Sequence, residues 1–376
     1  MQIKKIHLSD FRNFKSKTVQ FDFGVTVIVG PNASGKTNLL ESLYLCSTGK
    51  SFKARVEEEM VNYGAEIARV SALVDSGKTQ RSENELQAMD NGQRTTKLEV
   101  VLTRGEITIG NSPKRTEKTP RKRLMVNGVS KRLIDFAGNF KVVLFGPQDL
   151  GLVTESPSTR RGFLDFVISQ VDREYRRASL SYEKGLRQRN RLLLGVREDG
   201  LSRSQLLFWD KLLIKNGDYL SKAREEFIDF VNLAKPFEDH EFSLEYDKSA
   251  ISEARLDQYK AEEVAAATTL VGPHRDDFVF KEVNTKARFY KARELAKYGS
   301  RGEQRMGVLW LKIAELAFIE QKADEKPTLL LDDIFSELDD EHRKIVMQVA
   351  KNQQTIITTA DEHHMSGFKK VEKIRL

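Results

Sequence analysis

The chain has 376 residues, 39% hydrophobic and 31% charged, with a net charge of +7. No apolar run approaches the ~20 residues needed to span a bilayer, which excludes a membrane-spanning helix. The single cysteine, Cys46, excludes an intrachain disulfide framework. What remains is a polar globular protein of about two domains, expected in the cytoplasm, whose positive balance permits nucleic acid as a partner.

The N-terminus alternates polar and apolar residues as a strand does, not as a signal peptide. Strands are predicted at Gln2–Leu8, Thr18–Phe23 and Val25–Val29, the last a β-branched run of buried type. Between the first two, Asp10-Phe-Arg-Asn-Phe14 leaves two readings open. Either Arg12 and Asn13 face a nucleotide across the sheet, or they sit in a turn between two core phenylalanines. Next comes Gly30-Pro31-Asn32-Ala33-Ser34-Gly35-Lys36-Thr37, which fits G-x-x-x-x-G-K-[ST], with helix-like Asn38–Leu45 after it. Strand, glycine loop and helix in that order make an anion nest capped by a helix N-terminus. The motif assigns Lys36 to the β- and γ-phosphates of ATP and the Thr37 hydroxyl to Mg²⁺. Cys46 follows as a small buried hydrophobe. Gly49-Lys-Ser-Phe-Lys53 makes a second Gly/Lys/Ser turn.

Strands are expected at Ile67–Val74, Lys97–Thr103 and Glu106–Ile109, with a loop over Asp75–Thr96. Leu124–Val129 carries an Asn-Gly hairpin signal, and Lys141–Phe145 is an apolar strand leading to Gln148. Gln148 is either a turn residue or a sensor of γ-phosphate and Mg²⁺. From Ser158 to Val231 apolar residues recur at helical spacing, in Thr159–Val171, Tyr175–Leu194 and Leu206–Val231. Basic clusters at Lys114 to Arg123, Arg160-Arg161, Arg173 to Arg177 and Arg187-Gln-Arg189-Asn-Arg191 make DNA a candidate partner. Strand-like pieces return at Glu241–Tyr246 and Asp277–Phe280. Between them, His274 and Arg275 either cap a strand end or touch a ligand.

Ser300-Arg-Gly302-Glu-Gln304 precedes a helix over Glu303–Gln321, a second phosphate-binding arrangement. Thr328–Leu331 is a hydrophobic strand ending in Asp332 and Asp333. Asp332 is placed to hold Mg²⁺, directly or through water, and Asp333 to orient or deprotonate the attacking water. A helix over His342–Asn352 and a last core strand, Thr355–Thr359, complete the reading. In a compact α/β ATPase the loop strand and the acid strand share one sheet, so the two ends of the sequence fold together. The head is therefore predicted over 1–151 plus 268–376, with a mainly helical arm over 152–267. One chain does not bring two helix termini to one γ-phosphate from opposite sides; a second subunit does.

The set Lys36 loop, Gln148, Ser300-x-Gly302-x-Gln304, Asp332-Asp333 and Ser336-Glu-Leu-Asp339 resembles the ABC-type ATPase head shared with SMC proteins. Asp10–Phe14, Gly49–Phe52, Arg160-Arg-Gly-Phe-Leu-Asp165, Tyr182–Asn190, Gly272-Pro-His-Arg-Asp-Asp277 and Leu331–Asp339 together resemble the bacterial RecF family, from one end of the sequence to the other. That resemblance implies an ATP-binding DNA-repair protein that dimerises on ATP at gapped or junction DNA. It further implies action with RecO and RecR to load RecA, and a part in SOS induction. Two positions depart from the commoner ABC pattern: Glu303 stands where glutamine is usual, and Asp333 where most ABC ATPases carry glutamate. The shorter aspartate suits slow, switch-like hydrolysis. Thr358 and Thr359 stand where ABC ATPases often place a switch histidine; His363 and His364 follow too late for it. Other classes compete. A small-molecule kinase has no need of Ser300-Arg-Gly302. An ABC transporter subunit fits a basic helical insertion poorly. An SMC-like structural ATPase needs a longer coiled coil.

Overall fold

The computed structural model describes residues 2–75, 95–110, 115–235, 240–284, 292–336, 338–360 and 371–376. The chain divides into two compact units, Met1–Gln148 with Ile319–Leu376, and Asp149–Phe318. The first opens with β1 (Gln2–Phe11), β2 (Phe14–Gln20), β3 (Val25–Val29) and helix α1 (Lys36–Thr48). It continues with β4 (Ile67–Asp75), β5 (Thr95–Thr103), β6 (Glu106–Ile109), β7 (Arg115–Lys118), β8 (Lys122–Val126), β9 (Val129–Lys131), α2 (Leu133–Phe136) and β10 (Val142–Phe145). The second holds α3 (Gly151–Thr154), α4 (Pro157–Val171), α5 (Arg173–Glu198), α6 (Leu207–Asn232), β11 (His240–Asp247), α7 (Glu253–Gln258) and α8 (Lys260–Ala266). After these come β12 (Asp277–Asn284), β13 (Arg293–Glu294), α9 (Leu295–Tyr298) and α10 (Arg301–Ala323), whose residues from Ile319 belong to the first unit. The first unit closes with β14 (Thr328–Asp332), α11 (Asp340–Ala350), β15 (Thr355–Thr359) and β16 (Glu372–Arg375).

Two large sheets build the first unit, beside the small antiparallel β6–β7 pair. One has six strands in the order β2-β1-β4-β5-β8-β9, every neighbouring pair antiparallel. In β4, Ala68, Val70, Ala72 and Val74 are buried and their neighbours are not, the period of a sheet with one face on the core. The β8–β9 turn places Asn127 and Gly128 at φ 51 and 79, as the Asn-Gly pair predicts. The other sheet runs β10-β14-β15-β3-β16, all parallel. β14 and β15 are buried at every position, as strands covered on both faces are. The loop strand β3 and the acid strand β14 thus share one sheet, with β15 between them. Helix α1 packs against strands of both sheets. Leu39, Leu40, Leu43, Leu45 and Cys46 on several of its faces are therefore buried. Burial pushes the Cys46 thiol up, so it acts as a small hydrophobe.

Three expectations change. The core does not end at Thr359, because β16 pairs in parallel with β3 from Glu372↔Thr26 to Arg375↔Val29. The loop expected over Asp75–Thr96 is shorter at both ends, Asp75 lying in β4 and Thr95 and Thr96 in β5; residues 76–94 lie outside the described residues. The stretch 268–318, expected with the head, falls in the second unit. The reason is a backbone ladder: β12 pairs with β11 from His240↔Asn284 to Asp247↔Asp277, and β13 adds a third strand. The second unit is thus helices plus a three-stranded antiparallel sheet. His363 and His364 lie outside the described residues.

Candidate nucleotide-binding site

β3 delivers the glycine loop to the carboxyl end of the parallel sheet, where ligands of such sheets bind. Gly35 takes φ +108, and a Cβ there would lie 2.6 Å from Asn13 Nδ2 and 2.7 Å from a Phe14 ring carbon. Only glycine satisfies both limits. Pro31, Asn32 and Ala33 are exposed along the loop. Lys36 opens α1 and is 9% exposed. Its Nζ donates to the loop carbonyls of Gly30 and Pro31 at 2.7 and 3.0 Å. Inside the loop the Ser34 hydroxyl is buried without a hydrogen-bond partner among the described residues. An ammonium held only by loop carbonyls and an orphaned hydroxyl fit a phosphate, which accepts from both.

The second half comes from β14. Asp332, 6% exposed, accepts through Oδ1 from the Thr37 hydroxyl at 3.0 Å and the Thr358 hydroxyl at 2.8 Å. Burial pushes its carboxyl above the ordinary range, the two hydroxyls oppose this, and neighbouring Asp333 adds to it. Asp333 is half-buried at φ 50, its N–H donating to the Thr358 carbonyl. A Cβ on Gly146 would lie 2.8 Å from Gln148 Oε1 and 3.2 Å from Asp332 Cβ, so the exposed Gln148 side chain folds back over Gly146, which itself lies against Asp332. Hydroxyl, carboxylate and amide oxygens are the donor set of a hard divalent cation such as Mg²⁺. The structure therefore brings Lys36, Thr37, Gln148, Asp332 and Asp333 to one end of one sheet.

Arg12 and Asn13 divide between their two readings. Arg12 sends Nε and Nη2 to Glu41 of α1 at 2.8 and 2.6 Å, and Nη1 to the Glu59 carbonyl. Glu41 is wholly buried and also accepts from Ser51 of the Gly49–Phe52 turn at 2.5 Å. Arg12 thus braces the phosphate helix through its buried carboxylate instead of facing the loop. Asn13 does touch the loop, donating to the Ser34 carbonyl at 3.0 Å and accepting from Asn38 at 2.9 Å. Sequence reading missed Glu41, for which an acid in an otherwise apolar helix stripe was the available signal, and marked Thr358 by its position without its bond to Asp332.

In the second unit Ser300, Arg301 and Gly302 are exposed at the start of α10. The Ser300 N–H donates to Glu303 at 2.6 Å and the Glu303 N–H donates to the Ser300 hydroxyl at 3.3 Å, a reciprocal capping box. Arg293 binds Glu303 at 2.6 Å and Glu282 as well. Burial works to raise the Glu303 carboxyl, but Ser300 and Arg293 outweigh it and hold it below the ordinary range. Glutamate in place of glutamine at 303 therefore has a local use. Gln304, 8% exposed, donates to the Leu295 and Gly299 carbonyls and fixes the preceding turn.

The basic residues also divide. Arg160 is 9% exposed and gripped by Asp277 at 2.6 and 2.9 Å; Arg189 is 2% exposed and donates to Asp210, Thr269 and Glu263. Neither is available to DNA, which corrects their expected role. The cause is helical phase: Tyr175, Ala178, Tyr182, Gly185, Arg189 and Leu193 form the buried stripe of α5. Half-buried Arg161 donates to the Asp276 carbonyl. Arg187 is exposed, with Glu183 at 3.9 Å. The Gly272–Asp277 segment is structural too. Asp276, wholly buried, accepts from Arg224, Tyr246 and the Ser249 N–H. His274 Nε2 donates to the Thr269 carbonyl, which assigns Nδ1 as acceptor for the Tyr182 hydroxyl. Burial pushes this imidazole down to about 4, so it is neutral at physiological pH.

The family model described as the RecF/RecN/SMC N-terminal domain matches residues 2–376. A DNA replication and repair protein RecF from Herpetosiphon aurantiacus is 35% identical over 96% of this chain and 94% of its own. One from Roseiflexus castenholzii is 34% identical, covering 95% and 93%. A solved structure of the recombination mediator protein RecF with ATPrS, in the RecFOR pathway, superposes with a TM-score of 0.82 at 30% identity. It covers 99% of this chain and 96% of that one, and its ATP counterpart gives 0.81. The chain therefore belongs to the RecF family, and its fold is that family's ABC-type ATPase head with a second unit inserted between the halves.

Proposed function

We propose that the chain is an ATP-switched DNA-binding recombination mediator, a weak ATPase whose nucleotide state controls its dimerisation. The observation that carries this is the meeting of Lys36, Thr37 and Asp332 at the carboxyl end of the sheet, with Thr37 on the Asp332 carboxylate at 3.0 Å. Lys36 exchanges its loop carbonyls for β- and γ-phosphate oxygens. Thr37, Asp332 and Gln148 are the residues that would hold Mg²⁺, which when bound neutralises phosphate charge. Asp333 accepts the proton of the attacking water.

Ser300 and Gly302 serve the nucleotide of a second copy in a head-to-tail dimer. Gly302 supports this: a Cβ there would meet nothing nearer than Ser300 Oγ at 3.9 Å, so no contact within the chain requires glycine. Such a glycine costs about 1 kcal/mol in a helix, and the exposed helix N-terminus is suited to an incoming γ-phosphate. Phosphate contacts from exposed arginines such as Arg187 hold gapped or junction DNA. Work with RecO and RecR to load RecA, a part in SOS induction and a cytoplasmic location rest on kinship with the recombination mediators above. Among the described residues no helix is long and apolar enough to cross a membrane.

Sedimentation tests the reading. The parent should be monomeric without nucleotide and dimeric with ATP, and Ser300→Arg should bind ATP normally yet stay monomeric. Dimers promoted equally by ADP would overturn it.

A further inference from the structure

Thr358 lies wholly buried in β15, opposite Asp332 in the parallel ladder with β14. Its hydroxyl has one hydrogen, and Asp332 Oδ1 at 2.8 Å receives it. The Thr358 hydroxyl oxygen in turn accepts the Asp333 N–H at 3.1 Å, and the Thr358 carbonyl shares that N–H at 3.1 Å. Asp333 sits at φ 50, a left-handed backbone that an aspartate keeps only when neighbours hold it. One side chain therefore fixes the carboxylate of the first acid and the backbone of the second.

We infer that Thr358 is a positioning residue for this ATPase: through one hydroxyl it sets the Asp332 carboxylate for the divalent cation and aims Asp333 at the water. The inference rests on the nucleotide reading above and adds a residue which that reading does not use. Thr37 and Thr358 both take Oδ1, so the carboxylate is pinned from two sides by hydroxyls, one on the phosphate helix and one on the middle strand. With both donors on Oδ1, Oδ2 would be the oxygen that meets a divalent cation. Valine fills nearly the volume of threonine but leaves Oδ1 with Thr37 alone and the Asp333 N–H with a carbonyl alone. Serine keeps the hydroxyl and loses only a methyl group.

The test compares parent, Thr358→Val and Thr358→Ser, with Lys36→Ala as the control for the site itself. A fluorescent ATP analogue is titrated with and without Mg²⁺, and kcat, KM and melting temperature are measured alongside. Thr358→Val should bind the analogue without Mg²⁺ as the parent does. It should lose the Mg²⁺-dependent gain in affinity and fall in kcat by roughly 10- to 100-fold, the usual cost of losing a group that orients a ligand. Thr358→Ser should restore both to within about threefold of the parent. A purely structural threonine would lower the melting temperature and leave the Mg²⁺ response and kcat alone. A Thr358→Val protein with parental Mg²⁺ response, or a serine variant as impaired as valine, overturns the inference. A parent that binds no analogue, or a Lys36→Ala variant that binds it fully, overturns the nucleotide reading itself.

Discussion

The chain contains two polar centres built from equally charged motifs, and they differ in how fully their charges are answered from within. Around Lys36 and Asp332 the partners are incomplete: among the described residues the lysine has only two loop carbonyls and the Ser34 hydroxyl has none. Around Arg224 the charges are matched. Its guanidinium donates to Asp165, Asp276, the Tyr175 hydroxyl and the Pro273 carbonyl, and Asp276 takes two further donors. A charge whose partners are all internal holds a fold together, whereas one left with poor partners is kept for a ligand.

The sharpest way to break this comparison is to remove one charge from each centre. Lys36→Ala should abolish detectable nucleotide binding in calorimetry while the melting temperature stays within about 2 °C of the parent. Asp276→Ala should do the reverse, costing about 3–5 kcal/mol in denaturant unfolding because Arg224 loses a buried counter-charge. If both variants lost stability equally, the distinction between the centres would fail.

This difference also explains what could be read in the sequence. The phosphate loop and Asp332-Asp333 were legible because each is a local string whose chemistry needs fixed spacing. Arg160 and Arg189 were misread because counting charges ignores helical phase, although Tyr182 and Arg189, seven residues apart, share a buried stripe. The boundary at 268 failed for another reason. Glu241–Tyr246 and Asp277–Phe280 were both recognisable as strands, but nothing local states that they pair with each other. β16 was missed because its Glu-Lys-Ile-Arg pattern shows only one apolar residue, so it looks like tail until β3 supplies the ladder.

A second prediction sharpens the comparison inside the second unit. Glu315 is wholly buried beside Lys312, at 3.1 Å, and burial pushes its carboxyl up to about 7, with Lys312 opposing and Asp149 adding. The folded state then keeps a proton that the unfolded chain releases near 4.5. Stability contributed here is full below pH 4.5 and is lost as pH rises through about 7. Glu315→Gln should match the parent at pH 4 and exceed it at pH 8, by up to ~3 kcal/mol in chemical denaturation. A constant difference between the two proteins across that range would contradict the assignment.

The smallest effect concerns the surface. Arg187→Ala should flatten the slope of log DNA affinity against log salt by ~0.9 and leave stability unchanged. Arg189→Ala should destabilise the second unit, and in the fraction that remains folded the slope should be parental. Equal slopes for parent and Arg187→Ala would remove Arg187 from the DNA-binding face.

The place of β3 has a consequence for the order of events during synthesis. Both of its neighbours in the sheet, β15 and β16, are made more than three hundred residues later, at Thr355–Thr359 and Glu372–Arg375. The ribosome therefore produces the phosphate loop more than three hundred residues before the two strands that flank β3. Until residue 359 has emerged, β3 is an apolar ribbon with both edges unpaired, and the edge that β16 covers stays open until residue 375. ATP should then act late in folding, on a site finished only after translation has passed β16.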